Sequence, residues 1–206
     1  MKKIHSTSIG DPLARPDIAR KAAVTAVRAS AMGLIARDDV QDKQDLASLR
    51  RVLAQIGKAG IGTAMVKEAA VAYEPDRLGV LLDELGDALA HSPVPDREWP
   101  ELERVLEAQA LARLLGISPS SLRRYSSGAR ETPDDVAARL HFLALVVGDL
   151  AGSYNEVGIR RWFERPRTQL GGEAPADRLT GNWDPDDEGP APVRALAAAL
   201  LSSSAT

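Results

Sequence analysis

The chain has 206 residues, 44% hydrophobic but only 4% aromatic, with no cysteine and a formal net charge of −3. Without cysteine there are no disulfides and no thiolate metal sites. The slight acidity excludes a protein that coats nucleic acid through bulk charge, so any DNA contact has to be focused on a local basic surface.

The apolar residues are mainly Ala, Leu and Val, which favours packed helices over sheets, and the expected class is all-α. The opening Met1-Lys2-Lys3-Ile4-His5-Ser6 leads into Asp11, Arg15 and Asp17 rather than an apolar run, so no secretory signal is expected. No stretch reaches the roughly 18 consecutive apolar residues of a membrane span. The expectation is a cytoplasmic protein with no membrane contact.

Residues 1–15, with Ser6, Thr7, Ser8, Gly10 and Pro12, read as a loose arm. Pro16 suits a first helical turn, and Val24, Val27, Ala31 and Leu34 then recur at helical spacing. Asp45 opens a second pattern in which Leu46, Leu49, Leu53 and Ile56 share a face that Gly57 ends. Gly60-Ile61-Gly62 breaks the chain before a short segment through Tyr73. Pro75 starts a helix whose stripe is Leu78, Leu81, Leu82, Leu85 and Leu89, and residues 91–96 read as a linker. Residues 16–98 are expected to be a helical packing or dimerisation module without chemistry of its own.

The pattern from Trp99 to Tyr154 is again helical. Within it, residues 108–125 follow the logic of a helix-turn-helix. Ala112 is the small residue that two steeply crossing helices need, and Gly116 tolerates the left-handed turn between them. Leu111, Leu115, Ile117, Leu122 and Tyr125 fill the small core, Ser118 caps the second helix and Pro119 occupies its first turn. The outward positions are Pro119, Ser120, Ser121, Arg123 and Arg124. The N-terminal residues of such a helix read base edges, and arginine pairs guanine or phosphate. Arg130, in the loop before Pro133, is placed for a backbone phosphate. The expected DNA-contact set is Ser118, Ser120, Ser121, Arg123, Arg124 and Arg130. Glu101, Glu103, Glu107 and Glu131 nearby partly cancel its charge.

Pro133 is expected to open a helix with Val136, Leu140, Leu143, Val147 and Leu150 on one side, followed by a shorter helix near residues 157–165. Beyond it, Trp162 would anchor the short helix, Pro166 would end it, Gly171-Gly172 would permit a reversal, and Pro175 would open another turn ending near Leu179. An acidic, proline-rich stretch over residues 184–190 precedes an Ala/Leu helix at 193–201.

Catalytic chemistry is absent. His5, His91 and His141 have no metal-ligand spacing, and His141 reads as a structural or surface residue. Gly57–Thr63 lacks the order of a phosphate loop, and no Gly-x-Ser-x-Gly elbow occurs. No enzyme activity, metal or cofactor is expected.

The segment from Gln109 to Pro133 resembles the Xre/Cro-like helix-turn-helix family. With the Trp162, Pro166, Leu170, Gly171, Gly172, Pro175, Leu179 string behind it, residues 107–201 resemble Xre/MbcA/ParS-type antitoxins. The resemblance implies a 99–154 DNA-binding domain and a 155–206 toxin-binding domain. It implies neutralisation of a RES-domain, NAD-depleting toxin by covering its active site, and repression of the chain's own operon at operator DNA as a homodimer. The seven string residues take structural roles, and the 184–194 loop and last helix are the exposed candidates to face the toxin. The long N-terminal half and the acidic loop depart from that pattern, and the alternative is a stand-alone helix-turn-helix regulator without a toxin.

Overall fold

The computed structural model describes residues 11–41 and 45–203, and among these it is helical throughout with no strand, as the composition implies. The N-terminal half holds α1 (Pro16–Ala31), α2 (Arg37–Gln41), α3 (Leu46–Lys58), α4 (Thr63–Ala69) and α5 (Pro75–Ala90). The centre holds α6 (Pro95–Leu106), α7 (Ala108–Leu114), α8 (Pro119–Ser126) and α9 (Asp134–Ala151). Last come α10 (Glu156–Glu164), α11 (Pro175–Arg178) and α12 (Pro190–Ser203). Of the arm expected at residues 1–15, residues 1–10 lie outside the described residues, while Pro12 is buried in a short 3₁₀ turn capped by Asp11.

Helix starts follow local chemistry. Proline occupies the first turn of α1, α5, α6 and α8, where no amide donor is needed. The Asp45 carboxylate accepts from the Ser48 amide at 2.8 Å, and the Asn155 side chain accepts from Gly158 at 2.9 Å. The α5 leucine stripe is buried as its period requires.

The axis of the fold is α9, where every residue from Arg139 to Leu150 is buried. Helices α1, α6 and α12 pack around it. Gly148 lets α1 approach, since a Cβ there would stand 3.3 Å from both Arg28 Cα and Ala31 Cβ. The one-sided α9 stripe expected from the sequence is therefore corrected: the helix is enclosed on all sides. Three further expectations are corrected. The buried face of α1 is Ile18, Ala22, Thr25 and Ala29 rather than Val24 and Val27. Gly57 lies inside α3, and α6 begins at Pro95 within the supposed linker. No single helix among the described residues is long and apolar enough to cross a membrane.

Enclosure of α9 buries charge with it. Asp149, fully buried, meets Arg28 of α1 (Nε to Oδ1, 3.2 Å) and Arg194 of α12 (Nε to Oδ2, 2.9 Å). His141 is buried too, with Nδ1 2.6 Å from Glu98 Oε1 and Nε2 3.1 Å from the Ala90 carbonyl oxygen. The other Glu98 oxygen has no hydrogen-bond partner. Burial pushes the Glu98 carboxyl above its ordinary value of 4.5, while the His141 hydrogen bond and charge pull it down. A carboxyl raised in the folded state stabilises fully below its unfolded value, and that contribution fades as pH rises through the folded value. Glu98→Gln does not titrate and can donate to Nδ1 as the protonated acid would. Urea unfolding of both proteins at about pH 4 and about pH 7 is expected to show the Gln variant gaining on wild type as pH rises. A Gln variant whose stability relative to wild type stays constant or falls as pH rises refutes a raised Glu98.

Candidate nucleic-acid interface

The segment expected to be a helix-turn-helix is α7 and α8, joined by a tight turn. Leu111, Ala112, Leu115 and Leu122 are buried at the crossing, while Ile117 is half-buried. Gly116 turns the chain with φ +67°, the left-handed region that only glycine enters freely. Ser118 follows in extended conformation, and its Oγ accepts from the Ser121 amide at 3.1 Å, fixing where α8 begins. Tyr125 on the inner face stacks on Trp99 of α6 with centroids 6.3 Å apart, and the Trp99 indole donates to Thr132 Oγ1 at 3.0 Å. The helix is thus pinned at its start, along its inner face and just beyond its end.

Its other face is free. Pro119, Ser120, Arg123 and Arg124 are exposed, and Ser121 is half-buried, its hydroxyl 3.0 Å from that of Ser118. Neither Arg123 nor Arg124 has a side-chain hydrogen bond or ion pair among the described residues. Arg130, also exposed, lies with its guanidinium 5.7 Å above the Tyr125 ring, and its amide donates to the Arg124 carbonyl at 3.0 Å. That bond folds Arg130 back onto the end of α8. The six expected DNA-contact residues are therefore brought to one helix and its flanking turns.

Charge supports the same surface. Residues 108–130 contain four arginines and no Asp or Glu, within a chain of net charge −3. Two of the nearby acids are already engaged elsewhere: Glu101 pairs with Arg37 and Arg104, and Glu107 with Arg160. The 108–130 stretch is thus locally basic although the whole chain is not.

Behind this head lies the Trp–Pro–Leu-Gly-Gly string. Trp162 and Phe163 are buried edge to face at 5.3 Å, and the Arg167 guanidinium lies 5.4 Å over the Trp162 ring. Arg165 is extended, as a residue before proline must be, so α10 stops short of the exposed Pro166. Gly171 and Gly172 have φ of +69° and +89°, and the Gly172 amide donates to the Arg167 carbonyl at 2.9 Å, closing the reversal. Leu170, Pro175 and Leu179 are buried beneath it.

No family model, no curated protein and no solved structure matches the chain.

Sequence reasoning missed how the C-terminal segment meets the helix-turn-helix. The Trp183 indole donates to the Leu114 carbonyl at 2.8 Å, satisfying the end of α7. Its ring meets Phe142 edge to face at 5.1 Å. Arg139, 3% exposed, donates to Asn182 Oδ1 at 2.5 Å and to the Trp183 carbonyl at 3.2 Å. A Cβ on Gly116 would stand 2.0 Å from the Gly181 carbonyl oxygen. A lone tryptophan in a polar loop of an aromatic-poor chain was the available signal. The 184–194 stretch is correspondingly only half exposed: Asp184, Asp186, Asp187 and Glu188 face solvent, whereas Val193 is fully buried and Arg194 is bound to Asp149. Among the described residues no cluster of three or more His, Asp or Glu could hold a metal.

Proposed function

We propose that the chain is an operator-binding antitoxin that reads DNA with α8 and, through its C-terminal third, binds and blocks a RES-type, NAD-depleting toxin. The observation that carries the DNA half is the pair Arg123 and Arg124, exposed and without internal partners on a helix otherwise held rigidly. Unpaired arginines on the solvent face of a recognition helix are suited to guanine edges and phosphates. The toxin half is supported by the resemblance of the Trp162–Leu179 string. As repressors of this type read paired half-sites, the expected form is a homodimer.

The test has two arms. In selection from a random duplex library, wild type is expected to enrich a defined motif, and Arg124→Ala to lose about 1–3 kcal/mol of discrimination at one base position. No enriched motif, or one unchanged by Arg124→Ala, removes α8 as the reader. In the second arm, co-expression with the products of flanking genes is expected to yield one stoichiometric partner that arrests growth when expressed alone.

A stand-alone regulator is the second reading, favoured by the packing of α12 against α9, which withdraws Val193 and Ala197 from any partner. Lack of a toxic neighbour together with an enriched motif would select it. Truncation after Tyr154 cannot separate the two, because it would strip α12 from α9 and Trp183 from the end of α7.

A further inference from the structure

Helix α10 stands beside α7, and between them runs a groove of about 430 Å³. Ala110 and Leu114 form one wall, Phe163 the floor, and Arg161 and Arg165 the other rim. The neighbouring cations all have internal partners. Arg160 donates to the Val105 carbonyl at 2.8 Å and lies 3.3 Å from Glu107, Arg113 pairs with Glu164, and Arg167 stacks on Trp162. Arg161 and Arg165 differ: both are exposed, and neither has a hydrogen bond, ion pair or ring contact among the described residues. Arg161 is in the last turn of α10 and Arg165 lies just beyond its end in extended conformation, so neither guanidinium is committed to a contact within the fold.

Their position relative to α7 is fixed. Glu107, between α6 and α7, has φ +65°, the only positive value at a non-glycine residue among those described. Arg160 of α10 grips this junction through both the Val105 carbonyl and the Glu107 carboxylate. Helix α10 is thereby fastened to α6 and to the junction that leads directly into α7, the helix that would cross the phosphate strand when α8 enters the major groove. Arg161 and Arg165 share the groove with Ala110 and Leu114 of α7, which places them beside the phosphate strand that α7 would cross. Glu107 and Glu164 are neutralised by Arg160 and Arg113, so the residual charge of the groove is that of Arg161 and Arg165. It continues the sign of the acid-free 108–130 strip.

We infer that Arg161 and Arg165 form a second phosphate-binding ridge, extending the DNA interface from α8 across α7 onto α10. The inference rests on the reading of α8 as a DNA-binding helix. The phosphate contacts would carry no sequence information and would position the head on the duplex.

The test uses the full chain and a random-sequence duplex three helical turns long, with affinity followed by fluorescence anisotropy across a salt series. Arg161→Gln/Arg165→Gln is expected to bind about ten-fold more weakly at low salt, with a log–log salt slope shallower by about 1.8, or about 0.9 for each lost phosphate contact. Arg161→Lys/Arg165→Lys should retain the wild-type slope, because the charge remains. If the Gln pair keeps the wild-type affinity and slope, the ridge is overturned and the two arginines belong to an acidic protein partner. If the Lys pair loses as much as the Gln pair, the effect is structural and the ridge is equally overturned. If wild type shows no salt-dependent binding at all, the DNA reading of α8 fails first and the ridge falls with it.

Discussion

Gly116→Ala is expected to remove most of the stability of the protein, whereas Gly128→Ala, at nearly the same backbone angle, is expected to cost about 1 kcal/mol. The two glycines have φ of +67° and +70°, so an L residue at either carries the same left-handed penalty. They differ in what surrounds them. Nothing lies within 4 Å of a Cβ on Gly128, but on Gly116 it would stand 2.0 Å from the Gly181 oxygen and 2.8 Å from its carbonyl carbon. Both are backbone atoms, so one segment has to leave. Displacing residues 181–183 withdraws the Trp183 ring from Phe142 and its indole donor from Leu114, and frees the buried Arg139. Loss of a buried tryptophan costs about 3–5 kcal/mol, and each orphaned buried polar group about 1–3 more. The sum is comparable with the roughly 5–15 kcal/mol that holds a domain folded. Urea unfolding followed by circular dichroism compares the two variants directly. Equal losses at both positions would mean that the close approach of Gly181 contributes nothing.

This contact also bears on how the proposed activities relate. The turn that positions α8 is covered by a segment from the C-terminal third, and the end of α7 is satisfied by Trp183. A partner seated on that third would therefore rest on the structure that sets the angle of α8, the proposed recognition helix. The acidic residues Asp184, Asp186, Asp187 and Glu188 follow directly, and none of them has an ion pair among the described residues.

The sequence made legible those elements whose determinants are local. The α5 stripe, the Asp45 and Ser118 caps, the Gly116 turn and the Gly171-Gly172 reversal each follow from a few neighbouring residues, and the structure has them in place. The exposed set on α8 follows from the same logic, because a helix with Leu122 and Tyr125 inside must present Arg123 and Arg124 outside. What was not legible depends on partners distant in the chain. Helix α9 shows no single polar face to solvent, because its polar residues Arg139, His141 and Asp149 are matched by Asn182, Glu98, Arg28 and Arg194. Read locally, such residues look solvated. Similarly, α1 turns Ile18 rather than Val24 inward because Gly79 of α5 leaves room there, a Cβ on it standing 2.7 Å from Ile18 Cδ1. The close approach of Gly181 to Gly116 leaves no periodic trace at all.

Asp149→Ala is expected to destabilise the fold by about 3 kcal/mol, at the lower end of the range for breaking a buried ion pair. The carboxylate is fully buried between Arg28 and Arg194, whose side chains remain 20% and 22% exposed. Without it, two like charges face each other across a desolvated gap, relieved only by the water that each guanidinium still reaches. Burial already lowers the Arg194 pKa below its ordinary value, Asp149 opposes that fall and Arg28 adds to it, so removing Asp149 takes away the one favourable charge. Arg194→Met is expected to cost less, because Asp149 keeps Arg28 at 3.2 Å and the methionine stem replaces the buried part of the arginine. Urea midpoints should therefore rank wild type above Arg194→Met and Arg194→Met above Asp149→Ala. The reverse order would mean that Arg194 acts through packing rather than charge. The triad joins α1, α9 and α12, so its loss loosens the N-terminal helices and the final helix together from α9, against which α6, the support of α7 and α8, is packed. A variant that leaves every residue of α8 in place would then weaken the proposed DNA binding through the scaffold alone.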